Sequence, residues 1–100
     1  MPRLSPQDVR DIIETLENGI NFIPRVSNIE KMKMRSKIRE QESWLQEWRN
    51  PPAEAILQKL EGKLNSIFML YTHDFVDKLR RLISDKTGHL HAERKKAFKT

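Results

Sequence analysis

An all-helical fold, a small three- to four-helix bundle with antiparallel neighbours, is predicted by three features of this 100-residue sequence. Apolar residues recur at steps of three and four along most of the chain. Helix-starting and helix-stopping residues bound each run. Pro51-Pro52 separates two of the runs by a turn too short for anything but a reversal. A chain of this length buries roughly two thirds of its unfolded surface, so a single core is expected. Residues 1–88 read as one helical-bundle domain, and residues 89–100 as a basic tail or frayed helical extension.

The first helix is predicted over residues 5–18. Ser5 stands where it can accept from the backbone N–H of Asp8, Pro6 takes the tolerated first position, and Asp8 complements the positive helix end. Leu4 and Val9 have the spacing of a hydrophobic staple. Val9, Ile12, Ile13 and Leu16 form the apolar stripe, and Asn18-Gly19 reads as a left-handed stop. Residues 20–28 contain Pro24 and end in capping residues, which predicts an extended connector laid across the core, with Phe22 and Ile23 plugging a gap between helices.

A second helix is expected over 28–49, started by Ser27 or Asn28. Its stripe is Met34, Ile38, Leu45 and Trp48, widened by Trp44 and interrupted by Gln41. It must end before Pro51-Pro52, and the next helix, expected over 53–71, should run antiparallel to it. Leu57, Leu60, Leu64, Ile67 and Tyr71 mark that helix, with Ile56, Phe68 and Leu70 beside them. Gly62 costs about 1 kcal/mol relative to alanine in a helix, which points to close packing or a bend there. A rotated stripe of Phe68, Phe75, Leu79 and Leu82, with Thr72 and Asp74 resembling a cap, predicts a fourth helix over 73–86, kinked from the third or continuous with it. The expected core is Val9, Ile12, Ile13, Leu16, Phe22, Ile38, Leu45, Trp48, Leu57, Leu60, Leu64, Ile67, Phe68, Phe75, Leu79 and Leu82.

Composition narrows function mainly by exclusion. With no cysteine there is no disulfide framework, thiolate nucleophile or cysteine-type zinc site. No apolar run approaches the roughly 18 residues of a membrane span, and the N-terminus has no apolar signal segment, so an intracellular protein of nucleus or cytoplasm is expected. Of three glycines, Gly19 and Gly88 read as helix stops, which removes a phosphate-cradling loop. His89-x-His91 has no partner set for a metal, and no nucleophile stands with a base. A non-catalytic chain is expected, with no cofactor, metal or small-molecule substrate.

The net charge of +5 is concentrated at the end, where Arg94, Lys95, Lys96 and Lys99 face only Glu93 in the last twelve residues. A second basic stretch, Lys31, Lys33, Arg35, Lys37 and Arg39, alternates with Met32, Met34, Ser36 and Ile38. On a helix, successive residues turn by about 100°, so these charges spread round the circumference and form no phosphate-binding row. The leading expectation is therefore a protein-interaction module of adaptor or scaffold type, self-association included, with Met34, Ile38, Trp44 and Trp48 as the partner-binding face. The alternative is a nucleic-acid-binding module in which Lys31, Lys33, Arg35, Lys37 and Arg39 join Arg94, Lys95 and Lys96.

Overall fold

The computed structural model of the chain describes residues 4–48 and 52–87, and all of the regular structure among them is helical. Four longer helices and two short ones follow in order: α1 (Pro6–Ile20), α2 (Asn28–Arg39), α3 (Glu42–Glu47), α4 (Ala53–Lys63), α5 (Asn65–Phe68) and α6 (His73–Thr87). The expected reversal at residues 49–51, the Gly88 stop and the basic tail over 89–100 lie outside the described residues.

Local signals act as their chemistry demands. Ser5 Oγ accepts from the Asp8 N–H at 3.0 Å and Asp8 Oδ2 accepts from the Ser5 N–H at 3.1 Å, a reciprocal capping box. The flanking staple residues Leu4 and Val9 are both buried. Ser27 caps α2 by accepting from Glu30, and Thr72 Oγ1 accepts from the Phe75 N–H at the start of α6. That cap separates α6 from the preceding elements.

Three helix boundaries differ from expectation. Asn18-Gly19 does not stop α1, which continues to Ile20 and ends with Asn21 in the right-handed region. Glycine is needed at position 19 for closeness: a Cβ there would stand 2.5 Å from the Phe75 ring and 2.9 Å from the Tyr71 ring. The expected 28–49 helix divides at Gln41. That residue is buried because its side-chain amide donates to the Lys37 carbonyl at 2.9 Å while its oxygen accepts from Trp44 Nε1 at 2.6 Å. The expected 53–71 helix divides at Leu64, which leaves helical geometry (φ −112°, ψ 29°) yet stays fully buried. Gly62 has open space around it, so close packing does not explain it.

Between α1 and α2, Glu17 accepts two bonds from Arg39 at 3.0 and 3.3 Å, and Asn21 accepts from Arg35. Residue numbers rise on one helix as they fall on the other, so the pair is antiparallel. On its opposite side α1 meets α6, where Lys86 Nζ lies 2.8 Å from Asp11 and 3.7 Å from Asp8, while Gly19 meets Tyr71 and Phe75. That pair is antiparallel too. α4 packs on α6, and Arg80 of α6 donates to Glu54 at the start of α4 at 2.6 Å.

Val9, Ile12, Ile13, Leu16, Ile38, Leu45, Leu57, Leu60, Leu64, Ile67, Phe68 and Leu79 are buried as expected. Leu4, Ile20, Ile23, Ala53, Ile56, Tyr71 and Ile83 join them. Trp48, Phe75 and Leu82 pack on the core only half-buried. Phe22 is the one clear reversal. Its side chain is 85% exposed, because the turn after α1 spends its inward position on Ile23.

The Lys86–Asp11 pair gives stability a pH dependence of definite sign. The Lys86 ammonium, then the Gln7 amide, donate to the Asp11 carboxylate and hold it below the usual aspartate range. A depressed folded-state pKa means a contribution present above the unfolded value near 3.9 and lost as pH falls through the folded value. Asp11 in turn raises Lys86, whose contribution is lost as pH rises through its raised value. Asp11→Asn should lower the melting temperature at neutral pH and flatten its acid-side fall. A melting series from neutral pH to about pH 2 checks this; a variant as acid-sensitive as the parent would contradict it.

Candidate docking site

The four residues expected to form a partner-binding face do not make an open one. Ile38 is fully buried and Met34 half-buried against the core. Trp44 and Trp48 meet edge-on at 6.2 Å between centroids, and the Trp44 N–H is taken by Gln41. Lys59 of α4 lies over both rings, with Nζ 4.9 Å from the Trp44 centroid and 5.5 Å from that of Trp48. The ring–ring contact lies within α3 and its cap, and Lys59 ties it to α4 by cation–π contact.

The basic stretch is divided by the helix it sits on. Arg35 and Arg39 turn toward α1 and are engaged by Asn21 and Glu17. The Glu17 carboxylate also keeps the Arg39 guanidinium above its usual pKa. Lys31 is half-buried, and Lys33 and Lys37 are exposed one turn apart. Arg94, Lys95 and Lys96 lie outside the described residues, as do the tail's two histidines.

A different place has the shape of a binding site. Where the C-terminal end of α1 meets the α5–α6 connection and the first turns of α6, an apolar recess of about 360 Å³ opens to solvent. That falls within the roughly 300–1,000 Å³ typical of ligand-sized pockets. Its floor is Gly19, Ile23, Tyr71 and Phe75, and its rim carries Phe22 and Leu70, 85% and 44% exposed, with Asn18, Thr72 and Lys78.

Each floor residue is held there by a specific contact. Ile23 is directed inward by the turn after α1, whose backbone bonds run from Asn21, Phe22 and Ile23 to Asn18, Gly19 and Ile20. Gly19 lets the Tyr71 and Phe75 rings approach the α1 backbone. The Tyr71 hydroxyl donates to the Leu16 carbonyl at 2.6 Å, which draws the ring against α1, and Phe75 lies over it at 4.3 Å.

Burial, and behind it the Glu17 charge, push the Tyr71 phenol well above its usual pKa. It remains a protonated donor at neutral pH, and its contribution is lost only as pH rises from the ordinary tyrosine range near 10 toward the raised value. Tyr71→Phe should cost about 0.5–1.5 kcal/mol, the net worth of one buried hydrogen bond. Urea unfolding of the variant at neutral pH measures this. No loss would mean that the phenol–carbonyl bond contributes nothing net.

Sequence reasoning missed this recess because it read Phe22 as core and Gly19 as a stop. One signal pointed the other way: Leu16, Ile20 and Ile23 continue the α1 stripe at steps of four and three straight past Gly19. Comparison of the chain with protein-family models, with curated proteins and with solved structures finds no match.

Proposed function

We propose that this chain is a non-catalytic protein-docking module that receives a large apolar side chain of a partner in the recess between α1 and α6. The observation that carries this reading is a phenylalanine left 85% exposed on the rim of an apolar recess whose floor includes two aromatic rings. Scattered exposed apolar residues are ordinary. An exposed aromatic beside a preformed apolar hollow is the anchor-and-pocket arrangement that dominates binding energy at protein interfaces. The lining also has little charge to desolvate, since Lys78 is its one ionisable side chain apart from the buried Tyr71 phenol.

The test is selection from a displayed library of random peptides on the folded protein, in parallel with the Phe22→Asp/Leu70→Glu variant. Both substituted side chains are exposed, so the fold should survive. Peptides carrying one aromatic or leucine anchor should be enriched, and the variant should bind them at least tenfold more weakly, roughly 1.4 kcal/mol. Enrichment of nothing, or of peptides indifferent to the variant, would remove the reading.

A second reading, nucleic-acid binding, is favoured by Lys33 and Lys37, exposed one turn apart on α2. It predicts affinity that falls steeply with salt. Fluorescence anisotropy with labelled oligonucleotides decides it. If Lys33→Glu/Lys37→Glu leaves affinity unchanged, α2 is not the contact surface.

A further inference from the structure

We infer that α2 is a releasable strap, which melts from the side of α1 as a unit while α1, α4 and α6 stay folded. This does not depend on the docking reading.

α2 is the least anchored of the four longer helices. Ile38 is its one buried residue, and Met34 is half-buried against the core. α1 by contrast buries five large aliphatic side chains and α4 three, while α6 buries two and packs Phe75, Val76 and Leu82 half-buried on the core. Two further apolar side chains of α2 face solvent, Ile29 at 68% and Met32 at 67% exposure, and add nothing to its hold. What else binds α2 to α1 is polar and lies at the surface, with Arg39 on Glu17 and Arg35 on Asn21. Exposed contacts of that kind contribute little to stability.

The helix is also weak in itself. Lys31 with Arg35, Lys33 with Lys37 and Arg35 with Arg39 stand four apart, and like charges at that spacing oppose a helix. A free helix of twelve residues is marginal in water, so leaving α1 and losing helical structure are one event. Melting also releases Arg25, whose φ of 61° is a costly conformation for a non-glycine residue.

Both ends of the segment stay pinned when it opens. Ile23 is buried ahead of it, and Leu45 is fully buried beyond it in α3, where Lys59 of α4 lies over the Trp44 and Trp48 rings. The helix break at Gln41 falls between, so an opening that takes residues 24–40 loses the bond from the Gln41 amide to Lys37 and keeps the one from Trp44. Opening frees Glu17 and Asn21 on the side of α1 that α2 covers. A ligand for that side is excluded from the closed form, and its binding would draw the population toward the open one.

Hydrogen–deuterium exchange of the full chain, read amide by amide by NMR from zero to sub-denaturing urea, tests the strap. The α2 amides should share one opening constant, at least about tenfold larger than that of the α1 and α6 core amides. Their dependence on urea should be shallower, because the opening exposes less surface than global unfolding does. Met32→Gly, at an exposed position, should speed α2 exchange about threefold through lost helix propensity. α2 amides that exchange with the constant and urea slope of α1 and α6, that open singly with unrelated constants, or that ignore Met32→Gly would each overturn the inference.

Discussion

Leu64→Ala is expected to destabilise the fold by about 3–5 kcal/mol, close to the top of the range for truncating a buried leucine. Leu64 is fully buried although it belongs to no helix, standing between α4 and α5 with its N–H bound to Leu60 and its carbonyl accepting from Phe68, both at 2.8 Å. Its side chain is thus the apolar link between two helix segments whose backbones change direction at that residue. A core made by packed helix faces can relax toward a cavity by small shifts. One at a fixed break has backbone bonds on either side that resist collapse, and cavity cost rises as relaxation falls. A domain of this size has only about 5–15 kcal/mol of stability, so the substitution removes from about a fifth to nearly all of it. Urea unfolding followed by circular dichroism should show a lower midpoint with an unchanged slope. A loss below about 1 kcal/mol would show that Leu64 is not central to the core.

Much of the fold could be read from residues alone, and the boundary between what could and could not is physical. Caps are local events: Ser5 with Asp8, Ser27 with Glu30 and Thr72 with Phe75 are each settled within four residues, so sequence spacing suffices to find them. The apolar stripes of α1 and α4 also read through, because their period determines which side faces inward. The two helix breaks behave differently. Gln41 is visible as a polar residue in an apolar stripe, and its partners Lys37 and Trp44 are as near in sequence as any cap, but the spacing alone does not say that the amide is buried and the helix divided there. Leu64 has no local mark at all. Phe22 and Ile23 are adjacent, and only one can face the core at a tight turn. Hydrophobicity alone favours neither, and that choice hid the recess.

The same substitution, glycine to alanine, should have opposite signs at the two described glycines and separate them by about 1–3 kcal/mol. At Gly62, within α4, an added Cβ meets nothing within 4 Å. Alanine there should gain the helix-propensity difference of about 0.5–1 kcal/mol, through reduced freedom of the unfolded chain. At Gly19 the same gain is available and is outweighed. The new Cβ would lie 2.5 and 2.7 Å from two carbons of the Phe75 ring and 2.9 Å from a carbon of Tyr71, distances at which something must move. Tyr71 is the harder of the two to displace, because its hydroxyl is engaged by the Leu16 carbonyl and its ring is buried. Phe75 is half-buried and borders the recess, so it is the ring that yields, swinging into that hollow. Overpacking of this kind costs about 1–3 kcal/mol, enough to reverse the propensity gain. The displaced ring would also occupy the space proposed for a partner's side chain. Gly19→Ala should therefore melt lower than the parent and lose recess binding together, while Gly62→Ala melts higher and binds as before. If Gly19→Ala were as stabilising as Gly62→Ala, α1 and α6 would not approach as closely as the structure places them, and the recess floor would have to be redrawn.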